Sequence, residues 1–322
     1  MGAAARLLVL QRHTQPASAA TASAAAAALL ADGAGTVQID PPLPNEPLGE
    51  KEVAEFLDRG LLVLPSILTT EHVAELKQTV DEVMADRAGG AHARYIVEYE
   101  MLAGLCAHPP VVERVKQLMG RYGNGREDCC MHHMHVSRHD PGAVGARWHH
   151  DYNAVPSVHD RAQLSIHVFY YFAGLDGEIG DLLALPRSQY AVHPVRGIGE
   201  LFGTADLPGS VVINSLPEGS AVVLHSGLMH ARRPKPGGSS TDPRYFVDVE
   251  YVQPGAQRWP AYLSSEQHGV ICDIGRRNGF GRPQHEGRTF SYEHLWDFSE
   301  EVYCDSTEFY RFFSSLPSVE RD

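Results

Sequence analysis

Trp148-His149-His150-Asp151-Tyr152 is the stretch on which the reading of this chain turns. In extended backbone successive side chains alternate between faces, so His149 and Asp151 point one way and His150 the other. An imidazole and a carboxylate placed like this can occupy one face of a metal ion. The third ligand then has to come from a distant histidine. Leu224-His225-Ser226-Gly227-Leu228-Met229-His230 offers one at His230, read as lying at the end of another strand. Two imidazoles and one carboxylate, with the opposite coordination positions open, form the facial triad of non-haem Fe(II) oxygenases. Arg244, which opens Arg244-Tyr245-Phe246-Val247-Asp248-Val249-Glu250-Tyr251, is placed to hold an anionic co-substrate.

Around these residues the texture of the chain changes once. Glu50 to Leu57 reads as a short amphipathic helix, and Gly60-Leu61-Leu62-Val63-Leu64-Pro65 as a strand stopped by proline. A second helix opens at Thr69-Thr70-Glu71-His72, with Val73, Leu76, Val80 and Val83 at helical spacing. A third is expected from Pro110 to Met119, ended by Gly120. From Asp128 onward strands and turns dominate. Met131–Ser137, Gln163–Phe172, Asp181–Pro186, Gly219–Leu224 and Tyr245–Val252 read as strands, and Asp140-Pro141-Gly142, Asp176-Gly177 and Pro217-Glu218-Gly219 as turns. Helices first and strands after make an α+β chain, and the strand count with well-separated metal ligands favours a double-stranded β-helix, the jelly roll or cupin-like architecture, with N-terminal flanking helices. We read 1–47 as a disordered Ala-rich leader and linker and 48–322 as one domain. Its tail becomes irregular from about 257, with a helix expected near Thr307–Ser314.

Composition narrows the function. The formal net charge of −13 over 322 residues opposes binding to the phosphates of nucleic acid. No apolar run is long enough to span a membrane. Five cysteines without CxxC spacing (Cys106, Cys129, Cys130, Cys272, Cys304) suit a reduced intracellular chain. A cytoplasmic location is the expectation, with an organellar one as alternative: residues 1–31 hold Arg6, Arg12 and many Ala and Ser, and the first acid is Asp32.

These motifs together resemble the phytanoyl-CoA dioxygenase family of Fe(II)/2-oxoglutarate oxygenases, over roughly residues 50–254. Glu50 to Val83 is similar to the family's helix–strand–helix entry, and Trp148-His149-His150-Asp151 to its metal motif. Glu178-Ile179-Gly180-Asp181-Leu182-Leu183-Ala184-Leu185-Pro186-Arg187-Ser188 resembles its Asn-Gly…Pro-Gly-Ser-His turn, and Gly219–Leu224 leading to His230 its distal-histidine strand. Arg187 and Gln189 depart from the pattern, standing where the family usually has Gly and His. The resemblance implies a dioxygenase that hydroxylates or otherwise oxidises a small metabolite, releasing succinate and CO2. His149, Asp151 and His230 would ligate Fe(II). Arg244 would bind the distal carboxylate of 2-oxoglutarate, whose two oxygens match a guanidinium fork. O2 would be the second co-substrate, with ascorbate as an activator in vitro. A carboxylate at Asp151 fills the position that related halogenases leave for chloride, which favours hydroxylation.

Rival readings attach to particular residues. His225 is a second candidate for the distal ligand, disfavoured because the family's His–Arg spacing is shorter. His167, within Leu164-Ser165-Ile166-His167-Val168-Phe169-Tyr170, is either a 2-oxoglutarate contact or a core histidine. Tyr152 and Asn153 are either substrate contacts or loop packing. Met131-His132-His133-Met134-His135 has strand spacing for a cupin isomerase site, but no glutamate follows within Val136-Ser137-Arg138-His139-Asp140. Arg232-Arg233-Pro234-Lys235 reads as a solvated basic loop near the mouth. A jelly roll that binds 2-oxoglutarate or a sugar without turnover is the non-enzymatic alternative. The partner expected is a small molecule; the oligomeric state has no signature.

Overall fold

The computed structural model describes residues 35–36, 46–86, 92–94, 99–122, 130–151, 165–190, 202–235, 237–239, 241–252, 270, 273–274 and 277–278. The chain enters through a helical layer. Helix α1 (Glu50–Arg59) carries Glu50 and Glu52 in its first turn, where the helix dipole favours acids, and buries Val53 and Phe56. It ends at Gly60, in the left-handed conformation (φ 78°) with its N–H on the Phe56 carbonyl. A side chain at Gly60 would collide with the amide of Gln189, so the cap and the Gln189 turn lock together. Strand β2 (Leu61–Leu64) follows, then α2 (Thr70–Asp86), whose Val73, Leu76, Val80 and Val83 are fully buried at helical spacing. Helix α3 (Glu100–Ala103) runs into a 3-10 turn at Gly104–Ala107. Helix α4 (Pro109–Gly120) has proline in its first turn and buries Val111, Val112, Val115, Leu118 and Met119. It includes Gly120 and is capped by Arg121 in right-handed backbone, so Gly120 is not the left-handed stop expected of it.

The remaining elements are strands: β1 (Gly35–Thr36), β3 (His92–Arg94), β4 (Cys130–His139), β5 (Ala146–His149), β6 (Ser165–Tyr171), β7 (Asp181–Leu185), β8 (Val211–Ile213), β9 (Ser220–His225), β10 (Met229–Arg233) and β11 (Arg244–Val252). They form two sheets, ordered β2-β9-β6-β11-β4-β3 and β1-β8-β7-β10-β5. Every pairing is antiparallel except the parallel contact of β1 with β8. Gly35–Thr36 thus pairs as a strand within a stretch read as disordered linker. From β4 to β11 the chain changes sheet at every step but β7 to β8.

Parity explains the layers. On β11, Tyr245, Val247, Val249 and Tyr251 face the helices, together with Val168 and Tyr170 of β6 and Val223 of β9. The buried hydroxyls of Tyr170 and Tyr251 donate to the Leu105 and Cys106 carbonyls, tying the sheet to the 3-10 turn. The opposite face of β6, with Phe169 and Tyr171, packs against Leu182 and Ala184 of β7, Val211 and Ile213 of β8, and Val222 and Leu224 of β9. Each large apolar side chain buried in these layers contributes about 1.5–3 kcal/mol.

Two further sequence expectations change. Arg232 and Arg233 are not loop residues; they complete β10. His230 does not end a strand. Ser226-Gly227-Leu228 turns the chain, and His230 is the second residue of β10. The strands β5, β8 and β10 are short and lack regular alternation, which hid them. The helix expected at Thr307–Ser314, the Tyr152-Asn153 pair and the leader 1–31 lie outside the described residues. No helix among the described residues is long and apolar enough to cross a membrane.

Candidate metal centre

His149 and His230 lie on adjacent strands of the five-stranded sheet, as register partners across the β5–β10 ladder. Their ring centroids are 4.3 Å apart. Nδ1 of His149 lies 2.7 Å from the Arg147 carbonyl and Nδ1 of His230 lies 3.0 Å from the Leu228 carbonyl. A carbonyl only accepts, so both Nδ1 atoms carry hydrogen and both Nε2 atoms present lone pairs. Asp151 lies two residues past the end of β5, its N–H donating to the Ser226 carbonyl at 2.9 Å. Its carboxylate lies 3.6 Å from His149 Nε2 and 3.3 Å from His230 Nε2. Ligand atoms about 2.1 Å from one ion and at right angles lie about 3 Å apart, so this set needs little adjustment to share a metal. Among the described residues it is the one group of three or more potential ligands whose atoms converge, all within 4.8 Å of one another.

Electrostatics favour the metal-binding protonation states. Burial pushes His230 down to about 4, against the pull of Asp151, so the ring is neutral near pH 7. Burial raises Asp151, but His230, His167 and His149 outweigh it and hold the carboxyl below its usual range.

Arg244 lies deeper, at the start of β11, and is 3 % exposed. Its Nη2 donates to the Tyr171 hydroxyl at 2.9 Å, and the guanidinium sits 4.9 Å from the centre of the Tyr171 ring and 5.8 Å from that of Phe246. Its Nε and Nη1 are buried and have no hydrogen-bond partner. An unmet guanidinium in an aromatic wall has a carboxylate-binding edge ready, because leaving those donors unpaired is costly. Burial, and to a lesser degree the charge of Arg244, push Arg232 down to about 10.

The other candidates sit elsewhere. His225 accepts the Gly227 N–H on Nδ1 at 2.9 Å, and its Nε2 is 3.4 Å from the Tyr122 hydroxyl; it does not join the converging group. His150 is buried and does not join the converging group. His167 Nδ1 lies 2.9 Å from Asp248, and its Nε2 lies 3.4 Å from Glu250 and 3.9 Å from Asp151. It therefore bridges the centre to a buried acidic network. Burial lowers its proton affinity, yet Asp248, Glu250 and Asp151 raise it well above the ordinary value. His132 belongs to that network through a 2.5 Å contact with Glu250, and His135 lies 3.6 Å from Asp248. Glu250 is the carboxylate that the local sequence after His135 lacks, supplied from β11.

Tyr171, Phe169, Asp248 and Glu250 were not singled out from sequence. Counting by twos from Arg244 finds the β11 pair: Phe246, Asp248 and Glu250 share its face.

Neither a protein-family model nor a curated protein matches the sequence. The fold nonetheless has solved counterparts. It is similar to the non-haem α-ketoglutarate-dependent carbocyclase SnoK of nogalamycin biosynthesis, with TM-score 0.56, 15% identity, and 70% of this chain and 92% of that one covered. The corresponding epimerase SnoN matches with TM-score 0.54, 17% identity and coverage of 76% and 96%. HygX from Streptomyces hygroscopicus, solved with nickel and 2-oxoglutarate, matches with TM-score 0.52, 14% identity and coverage of 68% and 93%. The class defined is thus a fold class: the cupin-like, two-sheet fold of non-haem iron/2-oxoglutarate enzymes.

Proposed function

We propose that this chain is a non-haem Fe(II)- and 2-oxoglutarate-dependent dioxygenase of the phytanoyl-CoA dioxygenase type, built on a double-stranded β-helix of β4 to β11 and oxidising a small metabolite, most simply by hydroxylation. The observation that carries the reading is a pairing of two groups, one from each sheet. Three ligand atoms converge at His149, Asp151 and His230, while Arg244 keeps two buried donors without a partner.

The residues present fit both groups. His149 Nε2, His230 Nε2 and one Asp151 oxygen would hold the iron, and Arg244 the distal carboxylate of 2-oxoglutarate. Bound there, iron and 2-oxoglutarate with O2 supply the oxidising chemistry, with succinate and CO2 as products. The chain contributes the rest. The Nδ1–H bonds to the Arg147 and Leu228 carbonyls fix the ring orientation of both histidines, which keeps Nε2 directed at the centre. Phe169, whose ring centroid is 5.5 Å from that of His230, and Phe246, 5.0 Å from Phe169, wall the space between centre and Arg244 against water. His149, 40 % exposed in its side chain, leaves the centre open on one side for a substrate. The substrate expected is neutral, zwitterionic or modestly charged, in keeping with the net charge of −13.

The test is succinate release from 2-oxoglutarate with Fe(II), ascorbate and O2, across acyl-CoA esters, their free acids, amino acids and small ring-bearing metabolites. Turnover that disappears in Asp151→Ala supports the reading. Tight 2-oxoglutarate binding with no succinate from any compound would instead favour the non-enzymatic binding protein.

A further inference from the structure

On the oxygenase reading just given, we infer that Arg232 is a second arginine of the co-substrate pocket, so that two guanidiniums, Arg232 and Arg244, grip the distal carboxylate together.

Strand parity turns Arg232 inward. Along β10, His230 and Arg232 share one face, opposite Ala184 and Leu182 of β7, which line the space between the sheets. Met229 and Ala231 point the other way, into the cluster around Trp148 and Leu183. Arg233 follows them outward and is fully engaged: Nε donates to Asp181 at 2.9 Å and Nη1 to Asp206 at 2.8 Å. Two adjacent arginines with a common reading in the sequence therefore have opposite situations.

Arg244 reaches the same place from the other sheet. A Cβ built on Gly180 would lie 2.8 Å from the Arg233 carbonyl and 4.0 Å from Arg244 Nη1. The Arg244 guanidinium is thus lodged where β7 begins beside the end of β10. Gly180, at φ 126°, leaves the room for it. The charges of Arg232 and Arg244 oppose each other, and both act on Tyr171.

No carboxylate of the described residues answers this pair. Asp181, the nearest acid on β7, is bonded to Arg233, and Asp248 on β11 faces His167. Arg232 makes no ion pair with a described residue, and Arg244 keeps Nε and Nη1 unmatched. Two half-buried or buried like charges repel strongly at reduced dielectric, so the arrangement is unfavourable until an anion enters. A carboxylate has two oxygens and about four lone-pair positions, enough for a fork from each arginine.

The experiment is a binding titration that needs no turnover. Ni(II) replaces Fe(II), and 2-oxoglutarate binding is followed calorimetrically for the wild type, Arg232→Met and Arg232→Lys. Methionine keeps the apolar stem, and thermal unfolding of each variant checks the fold. Pyruvate, a 2-oxo acid without the distal carboxylate, is the second probe. Arg232→Met should weaken 2-oxoglutarate about tenfold, the worth of one charge-assisted hydrogen bond, and leave pyruvate unchanged. Lysine, a point charge without the fork, should fall between. Unchanged 2-oxoglutarate affinity in Arg232→Met overturns the second clamp and leaves the oxygenase reading standing. Equal weakening of both ligands also overturns it, since a loss blind to the carboxylate is structural. If the wild type binds no 2-oxoglutarate, the oxygenase reading fails. Glutarate without metal then decides the clamp: binding lost in Arg232→Met upholds it, and no binding to the wild type overturns it.

Discussion

His149 and His230 face each other across the β5–β10 ladder, and each anchors its ring through Nδ1 to the carbonyl two residues earlier in its own chain. The same local bond is thus made twice, once from each neighbouring strand. It leaves both Nε2 atoms turned toward Asp151, which is in turn pinned to the Ser226 carbonyl. The centre is therefore organised by backbone before any ion arrives.

The first prediction concerns that organisation. Asp151→Ala and His230→Ala should each weaken Fe(II) or Ni(II) by more than the roughly 10- to 100-fold that altering an outer partner of a ligand costs. His225→Ala should retain the metal, because its ring is bonded to Gly227 and adjoins Tyr122 rather than the centre. Metal content after gel filtration reads the result. Loss in His225→Ala with retention in His230→Ala would reverse the ligand assignment.

Arg244 yields the second prediction. Arg244→Lys should raise the 2-oxoglutarate dissociation constant ten- to a hundredfold, about 1.5–3 kcal/mol, with metal affinity little changed. Tyr171→Phe should do less, about 1 kcal/mol, since it removes the hydroxyl that orients Nη2 and keeps the ring beneath the guanidinium. Calorimetry with Ni(II)-loaded protein separates the two effects. An unaltered affinity in Arg244→Lys would move the anchor elsewhere.

How much of this was legible beforehand follows from where the signals live. The helices announced themselves through Val73, Leu76, Val80 and Val83, because burial on one side of a helix imposes a local period. The HxD triplet was legible for the same reason, since side-chain alternation is local, whereas His230 was preferred to His225 through the His–Arg spacing of the family resemblance. What stayed hidden is decided between strands. Arg232 and Arg233 look alike in the sequence, and only the pairing of β10 with β7 shows one facing Leu182's side of the sheet and the other bonded to Asp181. Glu250 meets His132 across the β4–β11 ladder, beside a register shift that no local pattern marks. The strands β5 and β8, four and three residues long, are too short to show a period.

Arg187 shows a family departure obeying the same backbone. It stands where the resemblance expects glycine, and its φ is 70°, the left-handed region that glycine occupies freely. Its guanidinium forms a forked pair with Asp58 on α1, while Ser188 accepts the Met229 N–H and so holds the start of β10 next to His230. Arg187→Ala, which keeps the backbone strain and loses the pair, should lower the melting temperature. Arg187→Gly, which loses the pair but releases the strain, should melt a few degrees above Arg187→Ala. The reverse order in differential scanning calorimetry would mean that the left-handed backbone at this turn carries no appreciable strain.

The last prediction is a pH dependence seated away from the centre. His108, the N-cap of α4, is held down to about 4, first by burial and then by the charges of His72 and Arg114. Its Nδ1 is buried without a hydrogen-bond partner, and its ring meets His72 edge-on with centroids 6.2 Å apart. In the unfolded chain the ring returns to its ordinary value near 6.5. Between those values the unfolded state binds the extra proton, so stability rises with pH through that window and falls as pH drops through it. The full span from 6.5 to about 4 corresponds to roughly 3 kcal/mol, an upper bound that the ring's partial exposure lowers. Above pH 7 both states are neutral and the dependence vanishes. Urea unfolding at pH 7.5, 6, 5 and 4.5 should show the decline, and His108→Gln, which cannot take up a proton, should flatten part of it. His230 contributes in the same direction, so His108→Gln on a Ni(II)-loaded background isolates the α4 cap. A slope identical in wild type and His108→Gln on that background would place the acid sensitivity elsewhere in the fold.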